Sequence, residues 1–311
     1  MGGMPIVDRY APSPTSDLHL GNLRTALAGW LLTRRERGQW RLRIEDLDQA
    51  RVKAACGAAA RQMSDLRHLG MSWDGPVVTQ STRMEAYRNV LDRLRHRTYE
   101  CFCTRQEIEQ AASAPHGDGY RPYPGTCAGL SETERARRRR ERPAAIRIRA
   151  EGARFTVVDR FAGEVTSVVD DFVLVRGDGV PAYNFAAVVD DLHQGVTRIT
   201  RGADLLSSAP RQAWLATQIG GPPPSYAHIG LVTNLDGKRL AKRDGAITLA
   251  ELLARGWESA DVLAELTSSL GLGRHGTLEG ALAVMPEPLP KAFCAPATWT
   301  GTELVSCPQR P

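Results

Sequence analysis

The stretch RYAPSPTSDLHLGN, Arg9 to Asn22, sets two prolines and a histidine between a short apolar strand and a long amphipathic run. Pro12 and Pro14 fix φ, so the loop gives up little entropy when it closes on a ligand. The helix N-terminus that follows offers unpaired N–H groups and the positive end of a dipole, which suits phosphate. Gly21 lets a ligand approach the backbone, and His19 has an N–H to donate to a phosphate oxygen. The ordinary alternative is a turn whose histidine only caps the helix. Glu45 ends an alternating stretch beside this loop, where a carboxylate suits an ammonium, unless it is a surface acid paired with Arg43 or Arg51. Further on, GKRLAKR carries Lys238, Arg239, Lys242 and Arg243 before a helix. Mobile cations there would neutralise charge building on a leaving pyrophosphate, or form a solvated basic loop. Cys101-x-Cys103 with Cys127 suggests a zinc knuckle, and three thiolates need a fourth ligand to close a tetrahedron. His116, Tyr120 and Tyr123 are the candidates.

The elements that must hold these residues follow from periodicity. PIVDRYAP reads as a strand. NLRTALAGWLLTRRERG puts Leu23, Ala26, Leu27, Trp30 and Leu31 on one helical face, with Gly38 placed as its C-cap. QWRLRIEDLD points Trp40, Leu42 and Ile44 inward. Strand, helix and strand make a βαβ unit and predict a parallel sheet. A helix over about Lys53 to Leu69 follows, then one opened by a capping box from Thr82 to Glu85. From Tyr99 to about Gly129 periodicity disappears, as in an insertion. A second capping box, Ser131 to Glu134, starts SETERARRRRER, and short strands lie in AAIRIRA, FTVVDRFAGEV and DFVLVRGDG. PAYNFAAVVDDLHQGVTRITRGADLL returns to buried α/β character. ESADVLAELTSSLGL is an amphipathic helix, and beyond Gly273 the pattern fades into an irregular tail.

The bulk numbers narrow the class. With 311 residues and 42% hydrophobic content the chain builds a sizeable globular core. No apolar stretch nears the roughly 18 residues of a membrane span, and no signal peptide is visible, so a cytoplasmic protein with no membrane partner is expected. A net charge of +5 favours a polyanionic partner. Six cysteines in that setting are expected to be reduced.

Together these residues resemble the class I aminoacyl-tRNA synthetases of the glutamyl type. RYAPSPTSDLHLGNLRTAL is similar to the family's R-F-A-P-S-P-T-G-x-L-H-I-G stretch, with His19-Leu20-Gly21-Asn22 at its HIGH motif. RIEDLD and YNFAAVVDD…RGADLL match further blocks in the same order, and Arg239-Leu240-Ala241-Lys242-Arg243 sits where KMSKS belongs. Three positions depart from the pattern: Asn22 for the last histidine, Ser16 for a glycine, and Arg239 and Ala241 within KMSKS.

The resemblance implies a Rossmann-type α/β catalytic domain with a zinc-bearing insertion, a short helical C-terminal region and no anticodon-binding domain. Residues 1–98 and 181–235 would be its halves, 99–180 the zinc-bearing and acceptor-like insertion, and 236–311 the KMSKS-like loop, helical region and tail. Arg9, Ala11, Ser13, Glu45, Tyr183 and Arg201 would bind glutamate. His19, Gly21, Asn22, Arg239 and Lys242 would bind ATP with Mg²⁺, with His19, Gly21 and Lys242 catalytic. The family's Cys-x-Cys…Tyr-x3-Cys spacing makes Tyr123 the fourth ligand of one structural zinc, with Cys101, Cys103 and Cys127. The stretch from Arg243 to Pro311 is short for an anticodon-binding region. That implies a truncated branch, expected to be monomeric, which activates glutamate and transfers it to queuosine in the tRNA(Asp) anticodon. The rivals are an enzyme charging the 3′ end of tRNA(Glu), a non-catalytic RNA-binding paralogue and a small-molecule adenylating enzyme.

Overall fold

The computed structural model describes residues 5–104, 106–108, 122–240 and 247–306. The first unit is the predicted strand–helix–strand: β1 (Val7–Tyr10), α1 (Leu20–Arg35) and β2 (Gln39–Ile44), with β1 and β2 parallel. Helices α2 (Gln49–Ala54) and α3 (Ala58–His68) come next, then β3 (Val78–Thr79), parallel to β2, and α4 (Met84–Arg93). The middle of the chain holds β4 (Thr98–Cys101), α5 (Glu132–Arg139), β5 (Ala145–Ile148), β6 (Arg154–Asp159), β7 (Gly163–Val168) and β8 (Val173–Val175). It continues with α6 (Tyr183–His193), β9 (Arg198–Gly202), α7 (Ala209–Ile219) and β10 (Ser225–Ile229). The last elements are β11 (Val232–Thr233), α8 (Leu249–Ala254), α9 (Ser259–Ser269), α10 (Leu278–Ala283), β12 (Ala297–Trp299) and β13 (Leu304–Ser306).

The parallel strands lie in two sheets, β1-β2-β3 and β7-β6-β10-β9, the second mixed because β7 runs antiparallel to β6. They meet where β1 lies beside β9. Thr197 N donates to Val7 O at 2.9 Å. The buried Asp8 carboxylate then bridges the seam, accepting Thr200 N at 3.0 Å, Thr200 Oγ1 at 2.5 Å and Arg198 Nε at 3.1 Å. Such a meeting of strands is where doubly wound sheets open a ligand crevice. The hairpin β6–β7 extends this sheet from within the span 99–180, whereas β4-β5-β8 form a separate antiparallel sheet.

Helix α1 buries Leu23, Ala26, Leu27, Trp30 and Leu31, with Leu20 on the same stripe, and also Ala28 and Leu32 beyond it. The second face is covered because α9 and α10 pack on it. Each leucine so removed from water contributes about 1.5–3 kcal/mol. The tail beyond Gly273 is therefore not irregular: α10, a 3₁₀ turn at Lys291–Phe293, β12 and β13 add Leu278, Phe293, Trp299 and Leu304 to the same core. Arg24 of α1 pins this layer, donating to the carbonyls of Gly230 (2.5 Å), Ser269 (3.0 Å) and Ala292 (2.6 Å).

Other local expectations also change. The helix over Lys53 to Leu69 is broken in two at Gly57, whose φ is 74°. Helix α1 is followed by Arg37 in the left-handed region (φ 54°), not Gly38. The box at Thr82–Glu85 does not form, because Gln80 and Arg83 instead reach the buried Asp190 at 2.9 and 2.5 Å and hold a 3₁₀ turn before α4. The box at Ser131–Glu134 forms as expected. Among the described residues no helix is long and apolar enough to cross a membrane. Cys56, Cys101, Cys103, Cys127 and Cys294 are all unbridged.

Candidate active site

The loop after β1 runs over the C-terminal ends of β1 and β2 and is held from both sides. Glu45 N donates to Pro12 O at 3.0 Å, while the buried Gln62 of α3 donates to Ser13 O and Ser16 O at 3.1 and 2.7 Å. The loop delivers the chain to His19, the N-cap of α1. Here the imidazole Nδ1 accepts the N–H of Gly21 at 3.0 Å, and Asn22 Oδ1 accepts the N–H of His19 at 3.2 Å. A backbone N–H can only donate, so Nδ1 is bare and the ring proton sits on Nε2. Burial, then the nearby Arg239, pull the His19 imidazolium down to about 4. It is thus a neutral N–H donor. A Cβ at Gly21 would lie 2.9 Å from His19 Cε1, so a larger residue there would push the capping imidazole aside.

Beneath the loop lies a buried chain of charges. Arg9 Nε donates to Asp191 Oδ1 at 3.0 Å, and Arg43 Nη1 reaches the same oxygen at 2.7 Å. Arg43 also donates to Glu45 Oε1 through Nε and Nη2, at 3.2 and 3.0 Å. Burial works against the Asp191 charge, but Arg43 and Arg9 outweigh it and hold the carboxyl below its usual range. Glu45 is 7% exposed and faces the cavity, so it is not the surface acid of the ordinary alternative, although Arg43 is its partner.

Arg9, Ala11, Ser13, His19, Gly21, Asn22, Glu45, Tyr183, Arg201 and Arg239 all line one cavity of about 650 Å³. Arg201 enters from the end of β9 and Tyr183 from the start of α6. Arg239, beyond β11, is held by Asp204. Lys242, Ala241 and Arg243 lie outside the described residues. Sequence reasoning missed Asp191, Gln62 and Asp204. A signal for Asp191 was available: adjacent acids in an otherwise apolar helix, FAAVVDDLH, need buried partners. Gln62 carried no such signal.

The cysteine cluster forms a second centre. The sulfurs of Cys101, Cys103 and Cys127 lie within 4.8 Å of one another. The Tyr123 hydroxyl sits among them, 3.4 Å from Cys101 Sγ and 3.6 Å from Cys103 Sγ, and accepts Cys127 N at 2.8 Å. Three soft sulfurs and one oxygen at a point are a donor set that fits a tetrahedral metal. Tyr120 and His116 lie outside the described residues.

The family of class I tRNA synthetases (E and Q), catalytic domain, matches residues 5–279. The chain is 57% identical over 267 residues to a glutamyl-Q tRNA(Asp) synthetase of Nocardia farcinica, covering 85% of this chain and 84% of that one. It is 44% identical over 276 residues to a protein of the same name from Deinococcus radiodurans, covering 86% and 90%. Among solved structures, a glutamate-tRNA synthetase from Elizabethkingia anophelis superposes with a TM-score of 0.78 at 26% identity, covering 95% of this chain and 68% of that one.

Proposed function

Because the chain belongs to the class I tRNA synthetases of the E and Q type, we propose that it activates glutamate with ATP and transfers it to queuosine in the anticodon of tRNA(Asp). The observation that carries this reading is the shared cavity, with a phosphate-type helix mouth at one end and buried arginines and a carboxylate at the other. The names of the relatives at 57% and 44% identity supply the nucleic-acid substrate.

In the first half-reaction an oxygen of the glutamate α-carboxylate attacks the α-phosphorus of ATP, the bond to pyrophosphate breaks, and glutamyl-adenylate forms. Arg9 and Arg201 take the side-chain carboxylate and Glu45 takes the ammonium, so glutamine would leave buried cations unmatched. His19 donates from Nε2 to a phosphate oxygen, beside the free N–H groups of α1. Arg239 and Lys242 neutralise the leaving pyrophosphate. Bound with ATP, Mg²⁺ would offset phosphate charge. In the second half-reaction a queuosine hydroxyl attacks the activated carbonyl and AMP leaves. Cys101, Cys103, Cys127 and Tyr123 hold one structural zinc in the insertion within 99–180. Residues 1–98 and 181–235 build the catalytic halves, to which the β6–β7 hairpin adds an edge. The enzyme works as a monomer in the cytoplasm with its substrates, a reading supported by a cavity whose described lining comes from one chain.

Two assays test this. ATP–pyrophosphate exchange must depend on glutamate, and its absence under every condition sinks the catalytic reading. Transfer of labelled glutamate to tRNA(Asp) must require queuosine. Charging of tRNA(Glu) instead would mean an ordinary glutamyl-tRNA synthetase, the reading favoured by the solved-structure likeness.

A further inference from the structure

The guanidinium of Arg201 is held before any substrate arrives. It has five N–H groups. Nε donates to His228 Nε2 at 3.1 Å, Nη1 to Gln212 Oε1 at 2.6 Å, and Nη2 to Leu205 O at 2.9 Å and Ser208 Oγ at 3.3 Å. Gln212 cannot turn away, because its own amide nitrogen donates to Asn184 Oδ1 at 3.0 Å. One N–H, on Nη1, stays uncommitted in these bonds, and Arg201 lines the cavity.

Of these partners only His228 is itself fixed by a charge. Arginine donates and never accepts, so His228 Nε2 must be bare and the ring proton must be on Nδ1. That proton faces Asp159 Oδ2 at 2.7 Å, and the same oxygen accepts His228 N at 3.0 Å. The other oxygen of Asp159 accepts Phe161 N and Ala162 N at 2.9 and 2.8 Å, in the β6–β7 turn. Among the described residues every hydrogen-bond partner of Asp159 is a donor, so only its charged form satisfies them all. His228 also stacks on Tyr226, with ring centroids 5.8 Å apart, and Arg201 lies over that ring. His228 is 3% exposed and is not among the residues lining the cavity, so it meets neither substrate.

We infer that His228 is a positioning residue for amino-acid selection: Asp159 holds its proton on Nδ1, and its bare Nε2 aims Arg201 at the substrate carboxylate. The chain runs from the β6–β7 turn through β10 to β9. It rests on the glutamate pocket proposed above. An oriented guanidinium reads a carboxylate through a set geometry; a swinging one would accept a neutral amide more readily.

The test is exchange kinetics on the full chain, with glutamate and ATP varied separately. His228→Asn keeps a donor for Asp159 but loses the acceptor for Arg201. It should raise the glutamate KM about 10- to 100-fold, as expected for a lost bond to a charged group. The ATP KM should stay within about twofold, and preference for glutamate over glutamine should fall. His228→Gln, whose longer amide can present Oε1 to Arg201, should recover most of the loss. Arg201→Lys is the reference for the pocket itself. If it raises the glutamate KM while His228→Asn does not, the inference is overturned and the pocket stands. If neither does, the pocket reading fails and the inference with it. A rise in both KM values alike for His228→Asn marks a merely structural role and also overturns it.

Discussion

His19 Nδ1 accepts the backbone N–H of Gly21 at 3.0 Å, which commits one imidazole nitrogen to the helix and leaves the other, protonated, for the cavity. Capping and phosphate contact are therefore separate jobs of separate atoms. His19→Asn retains a short acceptor for the cap but removes the Nε2 donor. Stability should hold to within about 1 kcal/mol, the worth of a cap. ATP–pyrophosphate exchange should fall about 100-fold or more, as for loss of a donor to developing charge.

The pH dependence of stability follows from the same residue. In the unfolded chain His19 titrates near its ordinary value of about 6.5, and in the fold near 4. Between those values the unfolded chain binds the proton and the folded one does not. Its contribution is full above about pH 6.5 and is lost as pH falls towards 4. Urea unfolding at pH 7 and pH 5 should show a smaller acid loss for His19→Asn than for the unmodified chain. Exchange should show no acid limb near pH 6.5 that disappears in this variant.

Glu45→Gln keeps the shape of the side chain and removes the charge that faces the ammonium. Arg43 retains Asp191 and Gln194, at 2.7 and 2.9 Å, so the fold should survive with a modest drop in thermal midpoint. Glutamate-dependent exchange should fall about 100-fold or more. Retained exchange would remove Glu45 from the ammonium role.

Metal analysis of protein prepared without chelator should find one zinc per chain. Cys127→Ser should lose it. Tyr123→Phe keeps three thiolates and should bind it more weakly rather than not at all, because sulfur supplies most of the donor set. Equal retention by Tyr123→Phe and the unmodified chain would remove Tyr123 as a ligand.

Arg24→Ala should free the C-terminal layer. The substitution strips donors from the carbonyls of Gly230, Ser269 and Ala292 inside the core. Urea denaturation should show a loss of about 3 kcal/mol or more, because buried acceptors are left unpaired. Limited proteolysis should cut first between α9 and β13.

Much of the site could be read from short stretches because its parts are local. Pro12 and Pro14 lie in one loop, with His19 and Gly21 at the helix mouth it leads into, and the stiffness of that loop and the helix mouth behind it are properties of the peptide itself. Cys101, Cys103, Tyr123 and Cys127 likewise converge over a short separation. Alternation alone places Glu45 at a strand end.

Tertiary structure decided the charges and the tail. Arg9 and Arg43 come from neighbouring parallel strands, and only α6 packing above them puts Asp191 between the two. No spacing along the chain encodes that meeting. The tautomer of His228 depends on Asp159, a turn residue from another strand, and on Arg201, a strand away on the other side. The tail reads as irregular in sequence because its apolar residues, Phe293, Trp299 and Leu304, are spread among prolines and short strands with no period. They are buried only because Arg24 and the outer face of α1 need covering. A sequence determines which groups are available and how stiffly each is presented; pairing between distant buried charges is a property of the folded interior, where an unpaired charge is too costly to leave.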